Sequence, residues 1–175
     1  MQRLDRWLVE RGYYPSREKA RRAIMAGEVR LEGREGILKP GTLVRPGEKV
    51  HLIEKPRFVS RGGEKLDGVL SKWSLDVAGK DALDVGASTG GFTQCLLERG
   101  AARVIALDVG RGQLHWDLRR DPRVTVLEGR NARRLSPGDL PFRPQVVTVD
   151  VSFISLRLLL PALSSVMEEE GDLVL

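Results

Sequence analysis

A chain of 175 residues with 41% hydrophobic and 30% charged side chains carries enough apolar surface to offset the entropy of ordering, which excludes a disordered chain and leaves one ordinary domain or two small ones. Its charge is uneven: Met1 to Arg57 holds 14 basic and 8 acidic residues, the remainder 15 and 16. Cys95 is the only cysteine, so no intrachain disulfide forms, and with only His51 and His115 besides it no metal site is expected. No apolar run reaches the ~20 residues that span a bilayer, and MQRLDRWLVERG lacks the pattern of a secretory leader. The expectation is a cytoplasmic protein, away from membranes, acting as a monomer.

The chain opens with a short helix. Leu4, Trp7 and Leu8 fall at helical spacing until Gly12, which suits the left-handed position beyond a helix end. Ser16 is a good N-cap for a second helix, in which Ala20, Ala23 and Ile24 form an apolar stripe up to Gly27 while Arg17, Lys19, Arg21 and Arg22 crowd the other side. VRLEG, Val44, Val50 and Leu52 then read as short antiparallel strands among Gly and Pro turns. An arginine-loaded α-then-β unit ahead of a neutral segment points to a polyanion, RNA, DNA or an acidic membrane, against the plainer reading of a solvated surface.

RLDRWL, the following RG, PSREKAR, the I-x-x-G-x-V run, KP and G-E-K-V resemble, in register, the RNA-binding domain named after the fourth small-subunit ribosomal protein. The resemblance implies that the exposed faces of the two helices grip structured RNA, with Arg3, Arg6, Arg17, Lys19, Arg21 and Lys39 near phosphates. Cations on short helices contact the backbone and set register rather than read bases.

A domain boundary is placed at the connector KPRF, giving 1–54 for the first domain, 55–59 for a linker and 60–175 for the second. A helix beginning near Gly63 carries Leu66, Val69, Leu70 and Trp73 as its buried stripe, with Lys65 and Lys72 on the flank. Ala82 to Val85 is a buried strand, GASTGG bends the chain, and a helix from Thr89 to Arg99 starts with free N–H groups aimed at the loop. Cys95, a turn from Phe92 and beside Leu96, belongs to the core face of that helix. RVIALD, ending at Asp108, VTVLEG and QVVTVD, ending at Asp150, supply three more strands, and GDLVL a fifth. The β-α-β-α rhythm predicts an α/β fold, a doubly wound, mostly parallel Rossmann-like sheet behind the small α+β domain, with its ligand crevice at the strand ends.

Glycine loops with a distal acid serve nicotinamide and flavin enzymes as well as methyltransferases. Here Gly86, Ser88 and Gly91 miss the second glycine of the G-x-G-x-x-G fingerprint, and Asp84, directly before the loop, suits the cationic end of S-adenosylmethionine. Asp108, after the second strand, stands where doubly wound folds bind a ribose. The alternative is a capping turn with no ligand.

SRGGEKL, DVGASTGGFT, the acid of ALDVG, NAR at 131–133 and DVSFISL at 150–156, in that order behind the basic prefix, resemble the TlyA family, also labelled hemolysin A, ribosomal RNA 2′-O-methyltransferases related to FtsJ. The resemblance implies S-adenosylmethionine as cofactor and ribosomal RNA or a ribosomal subunit as partner. It places the cofactor in Gly86, Ala87, Ser88, Thr89 and Gly90, its ribose on Asp108 and its adenine beside Asn131, and assigns Lys65 and Asp150 to catalysis. Beside the resemblance, Arg61 at the cofactor domain reads either as a residue that steers RNA or as a solvated charge. Methyl transfer from a sulfonium is an in-line displacement governed by alignment. A lysine assists the poor hydroxyl nucleophile by accepting its proton or stabilising the oxyanion while a carboxylate orients it, and a lysine acting as base must be desolvated beside that carboxylate. Which lysine does so is left open by the sequence.

FtsJ-like enzymes, by the same resemblance, use a lysine-aspartate-lysine-glutamate set on a seven-stranded sheet. The chain ends at Leu175, before the second lysine, the glutamate and two strands, so it is expected to be part of a longer enzyme and to lack activity by itself. Two other functions compete: a non-catalytic RNA-binding or assembly factor, and a membrane-active hemolysin.

Overall fold

The computed structural model describes residues 1–53, 56–152 and 154–175, and the chain forms two compact units, Met1–Lys55 and Pro56–Leu175. Lys55, where the connector was expected to begin, and Phe153 of the DVSFISL motif lie outside the described residues.

The first unit runs β1 (Gln2–Arg3), α1 (Leu4–Glu10), α2 (Arg17–Met25), β2 (Val29–Leu31), β3 (Leu43–Val44) and β4 (Val50–Leu52). Ser16 caps α2 as its sequence predicts, its hydroxyl accepting the Lys19 N–H at 3.3 Å. Leu4 and Leu8 meet Ala20, Ala23 and Ile24, and Val29, Leu31 and Val44 close this core. The pairs β1–β3 and β2–β4 are antiparallel. A strand as short as β1 has no alternation to betray it in the sequence. The core also encloses the carboxylate of Asp5, fully buried, to which Arg3 donates from Nε and Nη2, both at 3.1 Å, and Arg17 from Nη2 at 3.0 Å. The Arg3 hydrogen bond, outweighing desolvation with help from Arg17, holds that carboxyl down to about 2.

The second unit runs α3 (Arg61–Lys72), β5 (Asp81–Val85), α4 (Gly91–Glu98), β6 (Arg103–Asp108), α5 (Trp116–Arg119), β7 (Val124–Glu128), β8 (Val146–Val149), α6 (Leu160–Val166) and β9 (Asp172–Val174). Its sheet has the order β7-β6-β5-β8-β9, every neighbouring pair parallel. The order reverses between β5 and β8, the switch point at which doubly wound sheets open a crevice. Strand alternation divides the core. Ala82, Val104, Ala106 and Val146 pack with Leu66, Leu70, Cys95 and Leu96. Leu83, Val85, Ile105, Leu107, Val147 and Val149 pack on the other face with Leu159, Leu163 and Val166. Each such buried Leu or Ile contributes about 1.5–3 kcal/mol relative to exposure.

Three boundaries differ from expectation. Helix α3 begins at Arg61, two residues before Gly63, after Ser60 in extended conformation. Helix α4 begins at Gly91 rather than Thr89, because Gly90 adopts φ +100° and prolongs the loop. Residues 57–59, expected in a linker without structure, pack onto the second unit. Phe58 is 2% exposed, the Arg57 guanidinium bonds Glu98 at 3.0 Å and Asp67 at 2.9 Å, and the Val59 N–H donates to Gln94 Oε1 at 2.8 Å. A proline-bearing stretch without periodicity is here held by side chains rather than by a ladder.

Candidate active site

The loops after β5, β6 and β8 enclose a crevice of about 420 Å³, lined by Gly86, Ser88, Asp108, Asn131 and Asp150, with apolar walls from Val85, Leu107, Val109, Val151, Ile154 and Leu159. A smaller lobe of about 230 Å³ shares Gly86, Ser88, Asp150 and Ser152 with it and adds Ser60, Ala87, Thr89 and Phe92. Asp150 thus stands where the two lobes meet.

The glycine loop is built by close approach. Gly86 has φ +84°, and a Cβ there would lie 2.4 Å from the Asp150 carbonyl oxygen, so only glycine lets the loop pass the end of β8. Within the loop the amides are mostly satisfied by the protein. Gly86 and Ala87 donate to the Leu107 carbonyl at 2.9 and 3.1 Å, and Gly90 donates to that of Ala87 at 2.7 Å. The Ser88 N–H, at a residue held at φ +48°, donates to Asp108 Oδ2 at 2.8 Å. The loop itself offers a ligand shape and backbone proximity, while the N–H groups of Thr89, Gly91 and Phe92, at and just before the start of α4, find no acceptor among the described residues.

Asp108 also accepts the Gly110 N–H on Oδ1 at 2.7 Å. Its two oxygens, with about four acceptor sites between them, keep capacity for a pair of hydroxyls. Asn131 Oδ1 accepts the Arg133 N–H at 3.0 Å, capping the short 3₁₀ turn Ala132–Arg134 and leaving the side-chain NH₂ as its donor.

Two residues expected at the cofactor line neither lobe. Gly90 instead faces α5, where a Cβ would come within 2.3 Å of Leu118 Cδ1 and 2.8 Å of Leu114 Cδ1. Asp84 is completely buried, because strand alternation sends its side chain beneath α4 and not toward the strand ends. Its Oδ2 accepts the Thr93 hydroxyl at 2.7 Å and its Oδ1 the Thr148 hydroxyl at 3.5 Å. Burial pushes this carboxyl up to about 7, against the Thr93 and Thr148 hydrogen bonds that favour its charge. It ties the first turn of α4 to β5 and so sets the loop between them.

Lys65 and Asp150, 85 positions apart, meet at 2.9 Å through Nζ and Oδ1. Lys65 Nζ also lies 5.8 Å from the Phe92 ring centroid. The pair is open to solvent, with side chains 62% and 44% exposed, so the desolvation that a lysine base requires is not built into this arrangement. Arg61 makes no ion pair among the described residues. Of the prefix cations expected at phosphates, Arg3 and Arg17 serve the buried Asp5, and Arg6 pairs with Glu10 at 2.9 Å; a buried carboxylate demands compensation, and these arginines are the nearest cations. Lys19, Arg21 and Lys39 make no ion pair among the described residues.

Sequence reading missed Gln113, Arg133, Ser152 and Leu159, which line the crevice, and Ser60 and Phe92, which line the smaller lobe. They come from separate loops and helix starts, and only the strand order brings them together.

A parallel sheet with a glycine loop after its first strand, an acid after its second and a crevice at the switch point defines a doubly wound, Rossmann-like domain. The profile of the FtsJ-like methyltransferase family matches residues 58–174 and that of the S4 domain residues 2–50; the chain belongs to the FtsJ-like methyltransferase family, with an S4 domain at its N-terminus. It is 48% identical over 174 residues to the 16S/23S rRNA (cytidine-2′-O)-methyltransferase TlyA of Mycobacterium tuberculosis, covering 98% of this chain and 65% of that one. It is 39% identical to Hemolysin A of Brachyspira hyodysenteriae, over 91% of this chain and 66% of the relative. A solved Streptococcus thermophilus structure whose name carries the same hemolysin label superposes with TM-score 0.67 at 42% identity, over 98% of this chain and 64% of that chain. The chain therefore spans about two thirds of the length of these relatives. No helix among the described residues is long and apolar enough to cross a membrane.

Proposed function

We propose that the protein to which this chain belongs is a cytoplasmic ribosomal RNA 2′-O-methyltransferase that uses S-adenosylmethionine, with the S4 unit holding the RNA. The observation that carries the reading is the Lys65–Asp150 pair at 2.9 Å, with Asp150 at the junction of a larger crevice of mixed polar and apolar walls and a small hydroxyl-lined lobe.

The residues present fit the cofactor. Asp108 has acceptor capacity for ribose hydroxyls, Asn131 has a free amide donor, Val109, Ile154 and Leu159 supply apolar surface for adenine, and Gly86 lines the crevice beside Asp150. When bound, S-adenosylmethionine supplies an electrophilic methyl group on a cationic sulfur. Asp150 fixes the Lys65 ammonium at the lobe junction. Lys65, held there as a cation, presents N–H donors to the acceptor oxygen of a ribose and balances the negative charge on it as the hydroxyl proton leaves to the solvent to which the pair is open. The remaining acceleration comes from alignment of that oxygen by the walls of the smaller lobe. Lys19, Arg21, Lys39 and Arg61, without carboxylate partners among the described residues, are assigned to RNA phosphates, which position the substrate without reading its bases.

The test is to map ribose methylation in ribosomal RNA from cells carrying the full-length gene, lacking it, or carrying its Lys65→Ala form. The reading requires at least one ribose methyl group that disappears in the second and third. A methylation map identical in all three contradicts it.

A further inference from the structure

The first unit holds a second cavity, of about 430 Å³, that the two helix faces do not account for. It lies between the end of α1 and the turn joining β3 to β4, and its walls include Trp7, Arg11, Tyr13, Arg45 and Lys49. Gly12, at φ +76°, reverses the chain after α1, and the Tyr13 N–H bonds the Leu8 carbonyl at 2.9 Å. This folds the Tyr13 ring back onto Trp7, with centroids 5.6 Å apart and planes within 12°. Arg11, one turn beyond Trp7, sets its guanidinium 4.9 Å from the centre of the Trp7 ring.

This stack does not behave as core. Trp7 borders the core with part of its surface, but Tyr13 is 45% exposed, and a tyrosine whose purpose is packing would bury its ring. The surrounding charge is cationic. Neither the Arg11 nor the Arg45 guanidinium closes an ion pair among the described residues, although Arg45 lies within electrostatic reach of Glu48. Lys49 reaches Glu32 at 3.4 Å with both side chains largely in solvent. Glu48, the one acid in the wall, is already engaged by Arg34 at 2.5 Å and by the Arg45 N–H at 2.8 Å. A flat aromatic face beside unpaired cations in a cavity of this size matches what an unstacked nucleobase and its phosphate require.

The geometry points to a binding site for an unpaired RNA nucleotide on the S4 unit, its base stacked on Tyr13 and its phosphate held by Arg11 and Arg45. This rests on the reading of that unit as RNA-binding and adds a preference for single-stranded elements that phosphate contacts along the helices do not supply.

The test compares the chain with its Tyr13→Ala, Tyr13→Trp and Arg45→Ala forms in binding a short single-stranded oligoribonucleotide and a blunt RNA duplex of equal length. Tyr13→Ala is expected to weaken single-strand binding about 5- to 100-fold, the range for loss of one stacked base, and to leave duplex binding within about twofold. Tyr13→Trp restores the single-strand affinity. Arg45→Ala, at a residue outside the core, also weakens the single strand more than the duplex. Equal single-strand affinity in the parent and Tyr13→Ala proteins, with duplex binding intact, overturns this site while leaving the RNA-handling reading standing. Failure of the parent chain to bind either RNA overturns both.

Discussion

Replacing Asp84 with Asn should remove a pH dependence from the stability of the second unit. In the folded chain Asp84 is fully buried beneath α4, and burial carries its carboxyl from 3.8 to about 7. At about 1.4 kcal/mol per pH unit, the shift corresponds to about 4 kcal/mol. The sign follows from proton counting. Between pH 4 and pH 7 the folded state keeps a proton that the unfolded state has released, so unfolding releases it and stability falls as pH rises through that window, levelling above it. The Thr93 and Thr148 hydroxyls, which favour the charged form, are already counted in that value and keep the shift from being larger. Urea unfolding from pH 5 to 8, in a Trp7→Phe background where fluorescence reports Trp73 and Trp116 of the second unit, measures it. The Asp84→Asn protein should show a flatter profile and at pH 8 equal or exceed the parent in stability. A profile as steep as the parent's would refute the reasoning, since the slope would then belong to other groups.

Substituting Lys65 by Ala in the full-length protein should reduce methyl transfer about 100- to 1,000-fold with cofactor affinity changed less than threefold by calorimetry; retention of more than a tenth of the rate would remove Lys65 from the mechanism. Gly86→Ala places a Cβ 2.4 Å from the Asp150 carbonyl at φ +84°, a strain of about 1–3 kcal/mol, and should lower cofactor affinity at least tenfold; unchanged affinity would show that the loop does not approach the ligand there. Asp5, with its carboxyl held at about 2, should stabilise the first unit by about 2 kcal/mol at neutral pH, less whatever solvent screens at the half-exposed arginines, and lose that stability as pH falls from about 4 to 2; Trp7 fluorescence in an acid titration with and without Asp5→Asn, in a background carrying Trp73→Phe and Trp116→Phe, reads the difference. Cys95, fully buried and with its thiol pushed up to about 12 by desolvation, should resist a thiol reagent in the native chain and react promptly in denaturant; rapid native labelling would contradict its burial.

The sheet was legible because its strands obey simple rules. β5, β6 and β8 are buried on both faces and read as apolar runs, each with an acid at or beside its end: Asp84 one residue before the end of β5, Asp108 closing β6 and Asp150 just beyond β8. The same period-2 rule, applied to Asp84 alone, would have turned its side chain away from the crevice; reading it by nearness to the glycine loop put it at the cofactor instead. Gly90 misled similarly, because a loop glycine that admits a ligand and one that admits Leu118 look alike in sequence. Lys65 and Asp150 could be joined only through the family motif, since nothing local relates positions 85 apart. Arg3 and Arg17 read as solvent-facing cations because the burial of Asp5, which recruits them, depends on how α1 packs on α2. Phe58 lacked any periodic signal, and its burial follows from contacts made by the whole second unit.

The central claim is that the crevice at the strand ends receives an adenosyl cofactor through Asp108. Calorimetric titration of S-adenosylmethionine into the parent and Asp108→Ala proteins tests it most directly. Saturable one-to-one binding, weakened at least tenfold by the substitution and absent for a nicotinamide dinucleotide, is the predicted result; tighter binding of the dinucleotide, or binding of S-adenosylmethionine indifferent to Asp108, would contradict the account.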